Sequence, residues 1–497
     1  MALKFITADE AAQHIKDGMT VAFSGFTAAG SPKAMGPAIA KVAEAEHAAG
    51  RPFKINMITG ASTGDSLDGN LGRANCVNLR TPYQSNAAMR NRINAGEVNY
   101  IDCHLSHLSQ DLRYGFLPKI NIGVVEVSDI TEDGELVMTS SVGITPTFCE
   151  TAEFLIIEWN TTHPKELRGF HDIYTPLDPP LRREIPIYKP TDRIGKPFIK
   201  VDPKKILGVI KTHLYDEVGG FAELDETTMK IGQNVADFLA AELKSGRMPH
   251  GMLPIQSGVG NIANAALACL GTHDGIPPFE MYTEVIQDSV IDLMKIGKCT
   301  FASTCAFTLS KPAQEYVYNN LEFFRDKLVM RPGEITNHPE VVRRLGLITM
   351  NTALEADIYG NVNSTHVVGT KMMNGIGGSA DFTRNGFLSI FTTPSIAKDG
   401  KISAIVPMVS HVDHSEHSVK VIITEWGVAD LRGKSPQQRA ELIIENCVHP
   451  DYRPKMRKYL EISTQAHTKH NISAALAFHE EFIKSGDMSK VDFSKYE

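Results

Sequence analysis

The acid Glu284 stands in the run Glu280-Met-Tyr-Thr-Glu284-Val-Ile-Gln-Asp-Ser-Val-Ile-Asp-Leu-Met-Lys-Ile-Gly297. A carboxylate in such a place can act as a nucleophile that needs no separate base, because at an ordinary pKa near ~4.3 it is ionised at neutral pH. The residues after it, Val285, Ile286, Val290, Leu293 and Met294, recur near one face, and Gly297 is a natural stop. The spacing predicts an amphipathic helix with Glu284 at its start. Acids are common at helix starts because the dipole favours them, so capping is the plain reading and nucleophilic chemistry the sharper one.

Two glycine-rich turns offer backbone N–H groups to an anion. Gly258-Val259-Gly260-Asn261-Ile262-Ala263 fits G-x-G-x-x-A between a strand-like run and a helical one. Glycines there let backbone approach a phosphate at a helix N-terminus. A dinucleotide site would need a longer strand before it and an acid at a second strand end. Here the run is short, and Asp274 and Glu280 lie in a Gly/Pro loop. A phosphate or coenzyme A contact and a tight strand–helix turn are the other readings. The second turn is Asn374-Gly375-Ile376-Gly377-Gly378-Ser379-Ala380-Asp381. It can form a nest that holds an oxyanion or phosphate, or simply turn the chain. Finally, His411-Val-Asp413-His414-Ser-Glu416-His417 gathers three imidazoles and two acids. A metal site is one reading; a hydrogen-bonded polar connection between two strands is the other.

The elements that must position these residues read as α/β. Apolar runs at 20–23, 53–59, 120–127, 154–158 and 206–210 end in turns and alternate with amphipathic stretches, such as the one from Pro32 to Ala49. This is the pattern of a largely parallel sheet. Near residue 220 the sequence turns acidic and glycine-containing, then a helix opens over 226–243. The expected domains are 1–220 and 221–497, the second carrying Glu284. Further strands are expected at 254–256, 347–350, 401–406 and 419–424, and a helix over 261–270. The halves echo each other. Glu126-x-x-Asp129-Ile130 followed by Asp133-Gly134 resembles Glu355-x-Asp357-Ile358 followed by Gly360-Asn361. Two similar domains with a site between them would account for that.

Bulk properties narrow the class. The 497 residues exceed one ordinary core. The formal charge of -8 disfavours a nucleic-acid surface, and no run approaches the ~18 apolar residues of a membrane helix. Seven dispersed cysteines, with no C-x-x-C pair, read as reduced thiols. The stretch Met1 to Gly25 has Asp9, Glu10 and Asp17 and no arginine, which makes the cytosol the expected location.

Taken together, the motifs resemble the acetyl-CoA hydrolase/transferase family, nearly end to end. The matching stretches are Ser24-Gly-Phe-Thr-Ala-Ala-Gly-Ser-Pro32, Thr59-Gly-Ala-Ser-Thr-Gly64, Gln256-Ser-Gly-Val-Gly-Asn261, Tyr282-Thr-Glu-Val-Ile-Gln287, Asp357-Ile-Tyr-Gly-Asn-Val-Asn-Ser-Thr365, Met373-Asn-Gly-Ile-Gly-Gly-Ser379 and the histidine-rich run. The likeness is especially to its propionyl-CoA:succinate and succinyl-CoA:acetate CoA-transferases. It implies two open α/β domains of NagB/RpiA-like type with the active site between them, and a homodimer. It implies no resident cofactor, coenzyme A as a substrate, and acyl-CoA and small carboxylates as partners. By resemblance, Glu284 is the catalytic nucleophile and the Gly378 N–H an oxyanion contact. Asn337 is a polar residue near the glutamyl thioester, and Ser62 and Glu425 occupy active-site positions. Gly258, Val259, Gly260, Asn261, Ile262, Leu354, Asn374, Gly378 and Lys398 fall on coenzyme A contacts. Trp426 departs from the glutamine usual beside that glutamate. The family's histidine-rich turn is not a known metal site, which weakens the metal reading of His411, His414 and His417. A thioesterase on the same fold is the alternative activity.

Overall fold

A computed structural model of the chain describes residues 3–219, 223–248 and 251–497. By contact the chain forms two compact units. The first comprises Met1–Gly220, Glu280–Leu345 and Asn374–Asp381; the second comprises Phe221–Phe279, Gly346–Met373 and Phe382–Glu497. By contact, the segment that carries Glu284 therefore groups with the first 220 residues. Chain order alone could not place it, because the polypeptide leaves the first unit and returns to it twice.

The first unit is built on a seven-stranded parallel sheet. Its strands, in spatial order, are Ile206–Thr212, Phe154–Asn160, Ile122–Val127, Thr20–Phe23, Ile55–Thr59, Val77–Thr81 and Asn99–Tyr100. The central strands Thr20–Phe23 and Ile122–Val127 are buried at every position. That is why apolar residues dominate them on both faces instead of alternating with exposed polar ones. Helix Met35–Ala48 packs against the sheet through Met35, Ala38, Ile39 and Ala43. Parallel pairing puts the ends of these strands on one edge, so the loops at 24–31, 60–64, 82–83 and 101–106 gather there. The same unit contains the strand Phe279–Tyr282 from Glu280 onward and the strand Cys299–Thr304, the latter pairing in parallel with Leu328–Met330.

The second unit contains the parallel strands Ile255–Ser257, Ile348–Thr352, Leu388–Thr392 and Val421–Thr424, followed by the antiparallel Gly427–Asp430. Helices Glu226–Lys244 and Asn261–Thr272 lie together, with Gly232 so close to the Ala265 backbone that no side chain fits. The Asp225 side chain caps the first of these by accepting from Thr228 N at 2.7 Å. The echo between the halves is real at the level of hairpins. Asp129–Ile130 pairs antiparallel with Glu135–Val137, and Glu355–Asp357 pairs antiparallel with Val362–Asn363. The cysteines are free thiols, all but Cys103 buried, and among the described residues no helix is long and apolar enough to cross a membrane.

Candidate active site

Glu284 is not at a helix start. It lies between the strand Phe279–Tyr282 and the two-residue strand Val285–Ile286, and the helix begins only at Asp288. The backbone there is pinned to a neighbouring strand. The Glu284 carbonyl accepts from Cys305 N at 2.9 Å and from the Thr304 hydroxyl at 3.0 Å, and Val285–Ile286 pairs in parallel with Ala306–Phe307. Tertiary pairing thus overrides the helical period of Val285 and Ile286. The half-buried side chain lies close enough to Tyr83 and Cys305, members of a small apolar cluster with Phe26, Ala29 and Leu105, for its charge to act on both.

Asn337 faces it. The fully buried Asn337 ends the short helix Gly333–Thr336, and its Nδ2 donates to Glu284 Oε1 at 2.6 Å. Its Oδ1 accepts from the Thr336 hydroxyl at 2.9 Å, which fixes which end of the amide points at the carboxyl. Strand and helix are tied together, since Tyr282 OH donates to Ile335 O at 2.9 Å.

The second glycine turn completes this group. A methyl group on Gly378 would collide with Glu284 Oε1 and Asn337 Nδ2, so the bare backbone at 378 lies directly against the pair. Only Gly377 of the three glycines takes a left-handed conformation, with φ +60°. Gly375 serves close approach instead: a Cβ there would meet Tyr100 OH, Asp102 Oδ1 at 2.8 Å and the Tyr83 ring at 3.0 Å. The loop is latched by Asp102, whose two carboxylate oxygens accept from Ile376 N at 3.0 and 2.9 Å. Asn374 bonds to the neighbouring Gly375 carbonyl at 2.9 Å.

Burial pushes the Glu284 carboxyl up to about 8. The Asn337 amide pulls it down, and the charge of Asp381 pushes it up again. This corrects the expectation of an ordinary carboxylate: the setting of Glu284 favours its protonated form. Burial likewise raises Asp381 to about 6, against the hydrogen bonds from Ser106. The Tyr83 phenol is held up at about 12, again mainly by burial.

Ser62 follows the strand Ile55–Thr59 in a loop pinned to residues 26–29: Thr27 N donates to Ala61 O at 3.0 Å and Thr63 N to Thr27 O at 2.7 Å. Ser62 is fully buried, and its carbonyl accepts from the buried Arg80 at 2.8 Å.

The remaining expected residues belong to the second unit. Gly258, Leu354 and Glu425 each follow the carboxyl end of one of its parallel strands, on the edge where ligands of such sheets bind. Gly258 N donates to Met350 O at 2.9 Å. Gly260, at φ +105°, turns the chain into helix Asn261–Thr272. Val259 and Leu354 are exposed apolar side chains, while Asn261 and Ile262 are half-buried. Lys398, at φ +50°, places its ammonium 5.1 Å from the Phe482 ring. Glu425 accepts from Ser395 N at 2.9 Å and from the Ser395 hydroxyl, which also accepts from Trp426 Nε1 at 3.1 Å. Glu425 and the half-exposed Trp426 line a cavity of about 560 Å3 with Met229, Lys230 and Gln233. The histidine-rich loop is occupied with ordinary contacts. His414 Nε2 lies 3.4 Å from the Ser364 hydroxyl, His411 stacks on His366 at 4.0 Å, and Asp413 accepts from Ser364 N at 2.7 Å.

Asp381, Ser106 and Thr336 were not singled out by sequence reasoning, although Asp381 closes the glycine-rich run. Nothing in the sequence ties Ser106 to it. A second acidic cluster, Glu126, His163 and Asp216, has metal-like spacing, but the Lys33 ammonium sits 2.7 Å from Glu126 and 2.9 Å from Asp216.

Family models match at both ends of the chain. The acetyl-CoA hydrolase/transferase N-terminal domain covers residues 2–211 and its C-terminal domain residues 314–460. The chain is 48% identical to the propanoyl-CoA:succinate CoA transferase of Escherichia coli (strain K12), over 97% of this chain and 98% of that one. It is also 48% identical to the succinyl-CoA:acetate CoA-transferase of Clostridium kluyveri, over 98% and 90%. Against the acetyl-CoA hydrolase of Schizosaccharomyces pombe it is 40% identical, over 96% and 94%. Among solved structures, RipA from Yersinia pestis shares the fold at a TM-score of 0.71 and 21% identity, covering 92% of this chain and 96% of that one. With both domain models matched in order, and near-half identity along almost its whole length, the chain belongs to the acetyl-CoA hydrolase/transferase family.

Proposed function

We propose that the protein is a CoA-transferase that exchanges coenzyme A between short-chain acyl-CoA and carboxylic acids, succinyl-CoA with acetate or propionate, with Glu284 as its covalent nucleophile. The observation that carries this reading is the recessed Glu284 carboxyl, held by the Asn337 amide at 2.6 Å with the side-chain-free backbone of Gly378 against both.

The chemistry favours a carboxylate. A serine would leave an ester, which holds less energy than a thioester. Glu284 attacking the acyl carbon forms a C–O bond, and the C–S bond breaks to release the thiolate, leaving a mixed anhydride. The thiolate then attacks the Glu284 carbonyl carbon. The C–O bond to the donor acid breaks, the donor leaves as its carboxylate, and a glutamyl–CoA thioester stands on the enzyme. An acceptor carboxylate runs the same two steps in reverse, with no net proton change. Each tetrahedral intermediate bears an oxyanion, for which Asn337 Nδ2–H and the Gly378 N–H are the proposed donors. A poorly hydrated carboxylate, basic enough to titrate near 8, is also a stronger nucleophile than one in water once ionised. Ser62 and Glu425 are proposed active-site residues. Gly258 to Ile262, Leu354, Asn374 and Lys398 are proposed coenzyme A contacts.

Mass spectrometry after incubation with succinyl-CoA, with and without borohydride, tests the proposal. A Glu284 peptide carrying coenzyme A, or reduced to the alcohol, is the expected result. Label at another residue, or none on an enzyme that still turns over, rejects it. The hydrolase name of the Schizosaccharomyces pombe relative favours a second reading, in which water replaces the acceptor. Thiol release that is unchanged by added acetate or propionate, with no new acyl-CoA formed, would establish that reading instead.

A further inference from the structure

The Asn337 amide has two N–H bonds, and the structure uses both. One goes to Glu284 Oε1 at 2.6 Å, and the other points toward Asp381 Oδ2 at 3.4 Å. Asp381 is itself fixed: its Oδ2 accepts from Ser106 N at 3.0 Å and its Oδ1 from the Ser106 hydroxyl at 2.6 Å. Ser106 is buried near the start of helix Leu105–Arg113. A chain of bonds therefore runs from a helix backbone, through one carboxylate and one amide, to the side chain proposed as nucleophile.

We propose that Asp381 is a positioning residue for the transfer reaction: it holds the outer N–H of Asn337 so that the inner one stays aimed at the Glu284 oxygen through every covalent state. This rests on the proposed role of Glu284. When Glu284 is a carboxylate, it binds the amide strongly by itself. As an anhydride or thioester it becomes a weak neutral acceptor, and the amide then needs a second anchor to keep its aim. Thr336 holds the carbonyl end at 2.9 Å, and Asp381 holds the nitrogen end. The charge of Asp381 also faces Glu284 across the shared amide. The other titratable groups coupled to Asp381 are His107 and Cys103.

An asparagine at 381 can keep the geometry without the charge. Its carbonyl can accept from Ser106 N and Asn337, and its NH2 can donate to the Ser106 hydroxyl. An alanine keeps neither. The test measures kcat and KM for succinyl-CoA:acetate exchange, and the pH profile, in the full-length protein. Asp381→Ala is expected to lower kcat at least tenfold with KM within about twofold. Asp381→Asn is expected to recover most of that loss and to move the acid limb of the profile to lower pH. In an Asn337→Ala background, Asp381→Ala should add little further loss. Wild-type kcat in Asp381→Ala, or additive losses in the double variant, overturns the proposal. Should Asp381→Ala fail to fold, Asp381→Asn decides: an unmoved acid limb with wild-type kcat overturns it. The glutamyl–CoA adduct on the wild-type protein is read separately, so its absence counts against Glu284 and not against Asp381.

Discussion

The side-chain amide of Asn337 donates to Oε1 of Glu284 at 2.6 Å, across 53 residues of sequence. This contact lowers the cost of charge on a carboxyl that burial otherwise keeps protonated. In the proposed mechanism it also meets the oxygen that turns negative when the Glu284 carbonyl is attacked. Asn337→Ala should lower kcat by about 100- to 1000-fold, roughly 3 kcal/mol, as loss of one oxyanion donor does. The acid limb of the pH profile should also move upward, because the bond favours the ionised form. A kcat within threefold of wild type would show that the amide does not serve the reaction.

The pH dependence follows from the same group. Under the proposed mechanism the free protein must ionise Glu284 before it attacks, and burial raises that carboxyl to about 8. The quantity kcat/KM, which reports free-enzyme ionisations, should climb with pH through neutrality, reach half its maximum near 8 and level off above it. A limb in the ordinary carboxylate range, around pH 4 to 5, would contradict the buried, charge-opposed setting described above.

Stability should respond in the opposite sense. The folded-state pKa of Glu284 is raised, so between its unfolded value near ~4.3 and about 8 the folded protein holds more protons than the unfolded chain. Glu284 therefore makes the protein less stable as pH rises through that window. Glu284→Gln keeps the shape and removes the charge. It should abolish transfer, while its melting temperature, relative to wild type, rises as pH goes from 5 to 8.5. The gap should be on the order of 2 kcal/mol, since the group is only half-buried. A constant difference across that range would refute the assignment of the raised pKa.

The glycine turn separates two reasons for a missing side chain. Gly378 has no positive φ, yet a Cβ there strikes Glu284 and Asn337. Gly377 takes φ +60° and has the Tyr83 ring no closer than 3.6 Å. Gly378→Ala should therefore suppress formation of the glutamyl adduct more than it lowers the melting temperature. Gly377→Ala should cost about 1 kcal/mol of stability through backbone strain. Equal effects of the two substitutions on adduct formation would mean that the close approach at 378 has no catalytic consequence.

Local pattern carried much of this. The runs at 20–23 and 122–127 are mostly apolar because the strands are buried at every position, and the glycine at 260 turns the chain because it must take φ +105°. What the sequence could not carry is contact between distant segments. Val285 and Ile286 suit a helix face, but they pair with Ala306 and Phe307, so Glu284 lies between strands. Asp381 looks like the tail of a glycine turn, and only folding brings it to Ser106, 275 residues away. The ordinary pKa assumed for an isolated glutamate likewise fails because its surroundings are assembled from distant stretches of chain, among them Asn337 and Asp381.

A buried charge network in the first unit gives a test of the fold that does not involve Glu284. The Lys33 ammonium is almost wholly buried, at 2.7 Å from Glu126 and 2.9 Å from Asp216. It also donates to Ser31 O at 3.0 Å. Asp216 accepts further bonds from Gly30 N at 3.1 Å and Gln314 Nε2 at 3.0 Å, so it joins the 24–31 loop to the helix Lys311–Asn319. Burial pushes Glu126 up to about 8, while Lys33 and the bonds around it hold Asp216 down at about 2. Lys33→Met preserves most of the volume but strands two buried carboxyls. The expected cost is roughly 3–5 kcal/mol, the range for breaking one side of a buried pair. With Lys33 gone, burial favours the protonated form of both carboxyls, so the loss should shrink as pH falls toward 5. Urea unfolding of wild type and Lys33→Met at pH 5 and pH 8 measures both. A loss below about 1 kcal/mol at pH 8, or one that grows toward acid, would mean that the network does not hold this end of the sheet together.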